Sequence, residues 1–391
     1  MSVQTLIELY DERAIENVLA ADVFRPERII YLCPEEIAAD QARQKKYAAF
    51  FRKRGWKPQL TFVACSLYDS EEILRQLEAI HAEHTDCALD VTGGTDAALF
   101  AGGMLAMKHE IPVFTYSRKM NSFYNIRSAP FADRLPCALN YRVEDFFLMA
   151  GGRMRPGRVD NRSLRRYLPI MDGFFEIYLT YRRRWNDAVC WFQRVSQDED
   201  QPEIIAALQL RGDHGKRLTM PPALLTALAE LGMLTDLQFS EDGQAAFRFA
   251  DDRCRAWLRD VGSVLELYVY KACLDTEIFN DVVSSAVVDW DDTQGHASVS
   301  NEIDAVAACG VIPLFISCKT CAVHTEALNE LAIMRDRFGG KGAKAAIVTG
   351  EKCNAAARHR AAQLGIAVID LEELIRGELR HRLKVIMKVE K

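Results

Sequence analysis

The chain has 391 residues, 49% hydrophobic and 27% charged, the composition of an ordinary globular protein, and its length predicts two or three domains. No apolar run reaches the roughly 20 residues of a membrane-spanning helix, and MSVQTLIELYDERAIEN lacks the basic stretch and cleavage site of a secretory leader. A cytoplasmic protein is the expectation. The formal charge of −6 excludes a surface that attracts polyanions everywhere. Most of the eleven cysteines lie in or beside apolar runs, as reduced core thiols do.

Residues 1 to about 130 alternate apolar runs (Val3–Leu9, Arg28–Leu32, Leu60–Ala64, Ala88–Val91, Ile111–Tyr116) with helical patterns (Glu12–Ala21, Glu35–Arg54, Ser70–His84, Asp96–Lys108). That alternation predicts a parallel sheet covered by helices, with ligands gathering at the carboxyl ends of the strands. The turn Asp90-Val91-Thr92-Gly93-Gly94-Thr95-Asp96 enters a helix that Thr95 or Asp96 can cap. Free amides and glycines there suit phosphate or ribose oxygens, although two glycines also serve purely steric ends in many such turns. No GxGxxG or P-loop is present. Tyr10 and Asp11, and Arg118, Lys119 and Asn121 in the later YSRKMN turn, fall at the same sheet edge. The latter turn could equally be solvated.

Gly151-Gly152 and Pro156-Gly157 mark a boundary. From Gly151 to Arg184 nine arginines face three acids, with Tyr167, Tyr181 and Trp185 interleaved. The segment reads either as a nucleic-acid surface with stacking rings or as a basic linker. Leu164–Gln193 reads as helical. A helix at Pro221–Leu231, closed by Gly232, and the strand-like AAFRFAD suggest a winged-helix-like unit that binds DNA or packs between domains.

From Trp257 onward the elements run α-β-β-β-α-β-α-β. The helix AWLRDVGSVLELYVYKAC carries Glu266 among apolar neighbours, an acid that wants a partner. In NEIDAVAACGVIPLFISCKT, alternation puts Glu302 and Asp304 on one face of a strand, and Ser317 and Lys319 on one face of the next. Carboxylates beside a lysine suit metal-assisted phosphodiester hydrolysis. The bland alternative is polar residues of a solvated hairpin, against which a lysine closing so apolar a strand argues. Cys318, Cys321 and His324 spell C-x-x-C-x-x-H, but zinc needs a fourth ligand and Cys318 should face the core.

With these residues in view, the carboxy-terminal third resembles the PD-(D/E)XK nuclease superfamily, and LDVTGGTDAALFAGGMLAMK resembles a CARF domain, the sensor of cyclic oligoadenylates. Together they are similar to the CARF–nuclease ancillary effectors of type III CRISPR defence. The expected fold is therefore a Rossmann-like CARF domain (1–150), a helical linker with a winged-helix-like segment (151–255), and a restriction-endonuclease-like domain (256–391). The resemblance implies a homodimer that binds a cyclic oligoadenylate, the tetramer foremost, through Thr92, Gly93, Gly94, Thr95, Asp96, Tyr10, Asp11, Arg118, Lys119 and Asn121. It implies cleavage of DNA or RNA with Mg²⁺ or Mn²⁺, Asp304 and Lys319 being catalytic. The superfamily's second acid is Ser317 here, a poor ligand for a hard cation. Glu266 and Glu302, with the carbonyl of Cys318, would complete the metal set. Two other readings stand beside this one: a non-catalytic nucleotide-sensing regulator that only grips nucleic acid, and a Mrr-like restriction nuclease with no second messenger.

Overall fold

The computed structural model describes residues 3–155, 161–198, 201–212, 217–290 and 300–388. Pro156-Gly157 and Arg158 of the basic segment lie outside these residues.

The first sheet is built from β1 (Thr5–Leu9), β2 (Arg28–Cys33), β3 (Gln59–Ala64), β4 (Cys87–Asp90), β5 (Val113–Ser117), β6 (Ser122–Arg127) and β7 (Leu135–Pro136). Their order is β3-β2-β1-β4-β5-β6-β7. The first five run parallel, while β6 and β7 return antiparallel. Helices α1 (Leu19–Phe24), α2 (Glu35–Ala39), α3 (Gln41–Lys53), α4 (Ser70–Glu83), α5 (Asp96–His109) and α6 (Val143–Met149) accompany it. The expected single helix over Glu35–Arg54 is split at Asp40, whose carboxylate accepts the Arg43 N–H and caps α3. The pattern at Glu12–Ala21 becomes a short 3-10 turn, Ala14–Asn17, before α1.

The chain continues through β8 (Arg153–Met154), α7 (Asn161–Leu164), α8 (Leu168–Tyr181), α9 (Trp185–Val195), β9 (Ile204–Ala207), β10 (Gln209–Arg211), β11 (Arg217–Thr219), α10 (Pro222–Glu230), β12 (Leu234–Phe239), β13 (Gln244–Phe249) and α11 (Asp252–Leu258). Strand β9 joins the β12–β13 ribbon, with α10 ahead of the ribbon.

The second large sheet follows: α12 (Ser263–Asp275), β14 (Asp281–Asp289), β15 (Ser300–Cys309), β16 (Ile312–Lys319), α13 (Thr325–Phe338), β17 (Lys344–Thr349), α14 (Ala355–Gln363), β18 (Ile366–Ile369), α15 (Leu371–Ile375) and α16 (Leu379–Met387). Its order is β18-β17-β16-β15-β14-β8, so Arg153–Met154 belongs to the sheet edge rather than to a linker. Arg155 holds that edge with guanidinium contacts of 2.7–3.0 Å to Asp289. No described helix is long and apolar enough to cross a membrane.

The two sheets share one core. Phe147 of α6 meets Phe315 of β16 and Phe338 of α13 edge-on, with centroids 6.2 and 5.1 Å apart. Backbone groups tie the same junction: Tyr141 N–H donates to the Gly310 carbonyl at 2.9 Å, and Asn280 Nδ2 to the Tyr141 carbonyl at 2.7 Å.

Inside the first sheet Glu8 and Asp90 lie in register on β1 and β4, both fully buried. Burial, with Asp90 alongside, holds the Glu8 carboxyl well above its usual range, so it stays protonated beside its partner. Burial likewise pushes Asp90 up to about 7, against the hydrogen bonds it accepts from Thr92. A folded-state value above the unfolded one means the native state binds the extra proton. This contribution is full below pH ~4 and is lost as pH rises through about 7. Asp90→Asn removes this group's share of the dependence: its melting temperature is expected to fall less than the parent's from pH 6 to 8.5 and to exceed it at the upper end by about 2–4 °C per kcal/mol regained. Thermal melts across that range check this.

Candidate functional site

Residue 304 is where the second sheet comes apart. Pairing of β15 with β16 runs from Cys309–Ile312 to Ala305–Ile316 and stops there. Beyond it the Cys318 N–H donates not to a strand carbonyl but to Asp304 Oδ2, at 2.6 Å. Ser317 Oγ donates to the same oxygen at 3.2 Å, and Lys319 Nζ stands 3.9 Å away. On the other side β14 pairs at Ser284–Ala305 and Ala286–Ile303 but not between Ser285 and Asp304. Ser285 has a φ of +52°, uncommon for a residue with a side chain. Strain of this kind persists where the surroundings over-determine it, often at functional sites.

The hydroxyl of Ser285 reaches Glu266 Oε2 at 3.3 Å. Glu266 sits one turn into α12, at whose start Asp260 holds Ser263: its N–H and Oγ donate to Asp260 Oδ2 at 2.7 and 2.8 Å. Burial, then the charges of Asp304, Asp260 and Glu302, push the Glu266 carboxyl up to about 8. Asp304 is also raised, by burial and by Glu330, against the hydrogen bond from Cys318 and the charge of Lys319. Mutually destabilised carboxyls in one place are the electrostatic mark of a functional site. Glu302 is exposed, next to half-buried Asp304, whereas Cys318 is buried. Its thiol lies in the core, leaving only its backbone to face the acids. Oxygen donors of this kind suit a hard cation. Among the described residues no three Asp, Glu, His or Cys side chains converge as a ready-made ion cage. Sequence reasoning missed Ser285, Asp260 and Glu330; the unusual backbone at 285 has no signature in a strand-like VVSSAVVD.

A second site opens at the carboxyl ends of β1, β2 and β3. An open cleft of ≈ 760 Å³ is lined by Tyr10, Asp11, Arg13, Ser66, Gly94 and Thr95 among others. Of the ten residues expected there, Tyr10, Asp11, Gly94 and Thr95 line it. The glycines are sterically required: a Cβ on Gly94 would lie 2.9 Å from that of Leu9, and one on Gly93 3.0 Å from that of Asp11. Thr95 caps α5 by accepting the Ala98 N–H at 3.3 Å. Thr92 serves structure, accepting the Tyr116 N–H at 2.8 Å while bonded to Asp90. Gly93 and Asp96 flank the cleft without lining it.

Arg118, Lys119 and Asn121 of the YSRKMN turn are not among the residues that line the cleft. Asn121 adopts φ +47°, and its amide is spent on Tyr116 Oη (2.7 Å) and the Cys137 carbonyl (3.1 Å). Lys119 is exposed on that turn. Arg118 pairs with buried Glu16 and lies against Gly342 of the second domain. Its guanidinium thus answers a buried carboxylate between the domains. Nearby, Lys341 crosses from the α13–β17 loop to Asp11 Oδ2 at 2.6 Å, and Gly340 packs on Ile15.

Comparison with known proteins bears on both sites. Residues 253–388 match the family model of the Card1-like endonuclease domain. That span carries Glu266, Ser285, Asp304 and Lys319. Two solved structures cover nearly the whole chain. Protein VC1899 from Vibrio cholerae has a TM-score of 0.76 at 16% identity over 98% of both chains. Can2 from Sulfobacillus thermosulfidooxidans, solved with cyclic tetra-adenylate, has 0.71 at 17% identity over 98% of this chain and 97% of its own. A type III CRISPR defence DNA nuclease activated by cyclic oligoadenylate gives 0.52 at 17% identity, over 96% of this chain and 51% of that one. No curated protein matches the sequence significantly. The expected architecture, a Rossmann-like first domain joined to a second α/β domain that the endonuclease-domain model matches, therefore holds at the level of fold.

Proposed function

We propose that the chain is a cyclic-oligoadenylate-activated, metal-dependent nuclease of type III CRISPR defence, with a sensor at 1–150, a nuclease at 256–391 whose sheet also takes in β8, and a connector between β8 and 256. The observation that carries this reading is Asp304 and Lys319 standing 3.9 Å apart where the sheet opens, inside the endonuclease-domain match and beside Glu266. Asp304, Glu266 and Glu302, with the Cys318 carbonyl, would hold Mg²⁺ or Mn²⁺. When bound, such an ion lowers the pKa of a water and polarises the scissile phosphate.

The protein's own groups do the remaining work. The Cys318 N–H and the Ser317 hydroxyl fix the Asp304 carboxylate, so Ser317 acts as a positioning residue in place of the superfamily's second acid. Lys319 neutralises charge developing on the phosphoryl oxygens. Nucleic acid, DNA or RNA, is the substrate. Lys319→Ala is expected to lower cleavage of plasmid or single-stranded oligonucleotides, assayed with Mn²⁺ and cyclic tetra-adenylate, by about 10²–10³-fold or more. Undiminished cutting by that variant would remove Lys319 from the mechanism.

The messenger would occupy the cleft at Tyr10, Asp11, Gly94 and Thr95. An anion entering there competes with Asp11 for Lys341, and Lys341 stands on the loop that leads into β17. That strand pairs with β16 up to Thr349–Lys319, giving a packed route between the sites. Lys341→Ala is expected to narrow the ratio of activated to basal cleavage by about fivefold or more. An unchanged ratio, measured with and without cyclic tetra-adenylate, would exclude the ion pair from the coupling.

A homodimer would place two clefts together. Helix α5 buries Ala98, Ala101, Leu105 and Ala106 on the sheet, yet leaves Phe100, Met104 and Met107 exposed. A helix apolar all round is one buried on both sides, and this one starts at the cleft. Phe100→Asp combined with Met104→Asp is expected to give a monomer by light scattering; a persistent dimer would move the interface elsewhere.

A further inference from the structure

The basic segment of the sequence leaves one feature that neither site absorbs. Between α8 and α9 the chain makes a 3-10 turn, Arg182–Arg184. It is anchored on both flanks: Tyr178 and Trp185 are buried against each other, ring centroids 5.6 Å apart, and Trp185 Nε1 donates to the Val261 carbonyl at 3.4 Å. Tyr178 packs against Gly350, so closely that a Cβ there would collide with its hydroxyl. Arg182 fixes the turn further, reaching the Gly350 carbonyl at 3.3 Å and Glu351 at 3.5 Å. Gly350 in turn donates its N–H to the Lys319 carbonyl at 2.8 Å. The turn is therefore held one residue away from the lysine of the opened sheet.

Arg183 and Arg184 are exposed there. Neither has a carboxylate partner among the described residues, although acids outnumber bases in the chain by 55 to 49. With Tyr181, Arg182 and Pro221 they line a groove of ≈ 320 Å³ whose walls carry no acid. Three guanidiniums in succession repel one another, and this turn keeps them together through buried aromatic anchors. The two forked donors of Arg183 and Arg184, held on a turn that Arg182 fixes and without a carboxylate partner among the described residues, match phosphodiester oxygens.

We propose that this groove binds the sugar–phosphate backbone of the substrate strand beside the scissile position. Arg183 and Arg184 contact phosphates, and Arg182 holds the turn to Gly350. The proposal rests on the nuclease reading above and gives that site its substrate track. It assigns no base readout, because phosphate contacts position a strand without reading its sequence.

The test uses full-length protein carrying Lys319→Ala, so that binding is measured without cutting. Fluorescent oligonucleotide is titrated over a range of salt, with cyclic tetra-adenylate present. Adding Arg183→Ala and Arg184→Ala is expected to weaken binding roughly tenfold at low salt and to flatten the slope of log Kd against log salt by about 1.4–1.8, two phosphate contacts' worth. Arg183→Lys with Arg184→Lys, which keeps the charges, is expected to retain the slope. Parent-like affinity and slope in the alanine variant would overturn the groove alone. A parent that binds no oligonucleotide, with a wild type that cuts none, would overturn the nuclease reading and the groove with it.

Discussion

A single hydrogen bond governs how the carboxy-terminal sheet opens: the Cys318 N–H to Asp304 Oδ2 at 2.6 Å. A buried amide must find an acceptor, and in a continuous ladder that acceptor is a strand carbonyl. Here a side chain takes its place, so β15 and β16 part without leaving a donor orphaned. Opposite, Ser285 turns out of the β14 ladder and offers its hydroxyl to Glu266. The sheet thereby opens on both sides of one aspartate, and strand backbone that would have been paired lies beside a cluster of acids and a lysine. Ser317 belongs to this device. It cannot replace a carboxylate on a cation, but its hydroxyl secures the carboxylate that remains.

The cleft of the first domain and the opened sheet are joined by packing rather than by a tether. Asp11 lines the cleft and pairs with Lys341; Glu16, a few residues on, pairs with Arg118 against Gly342. Glycines at 340 and 342 let the loop between α13 and β17 lie close to the first domain, where a Cβ would meet Ile15 or Arg118. Dense interiors transmit displacement instead of absorbing it, so a shift at Asp11 has a short route into β17.

Much of this was legible in the sequence, and the reasons are specific. The parallel core followed from apolar runs separated by helical patterns, and the placement of Asp304 and Lys319 from alternation along NEID and SCK. Cys318 turned inward because a two-residue period leaves it no choice. What escaped notice depends on three-dimensional neighbours. Asp260 reads as an ordinary polar residue until its carboxylate holds Ser263 at the start of α12 beside Glu266. Glu330 is eleven residues past Lys319 and only the fold brings its charge to bear on Asp304. Arg118 looked like a ligand for phosphate because sequence shows its charge but not buried Glu16, which claims it. Strands β6 and β8 were missed: the first is largely polar and the second is two residues long.

The shared aromatic core carries an evolutionary consequence. Phe147 lies between Phe315 and Phe338, and the same apolar mass runs from Phe50 and Tyr141 into the second sheet. The two domains here are not beads on a string that recombination can exchange. The cleft of the first domain has to change in place, residue by residue, because a transplanted domain would arrive without the ring that fits between those two phenylalanines.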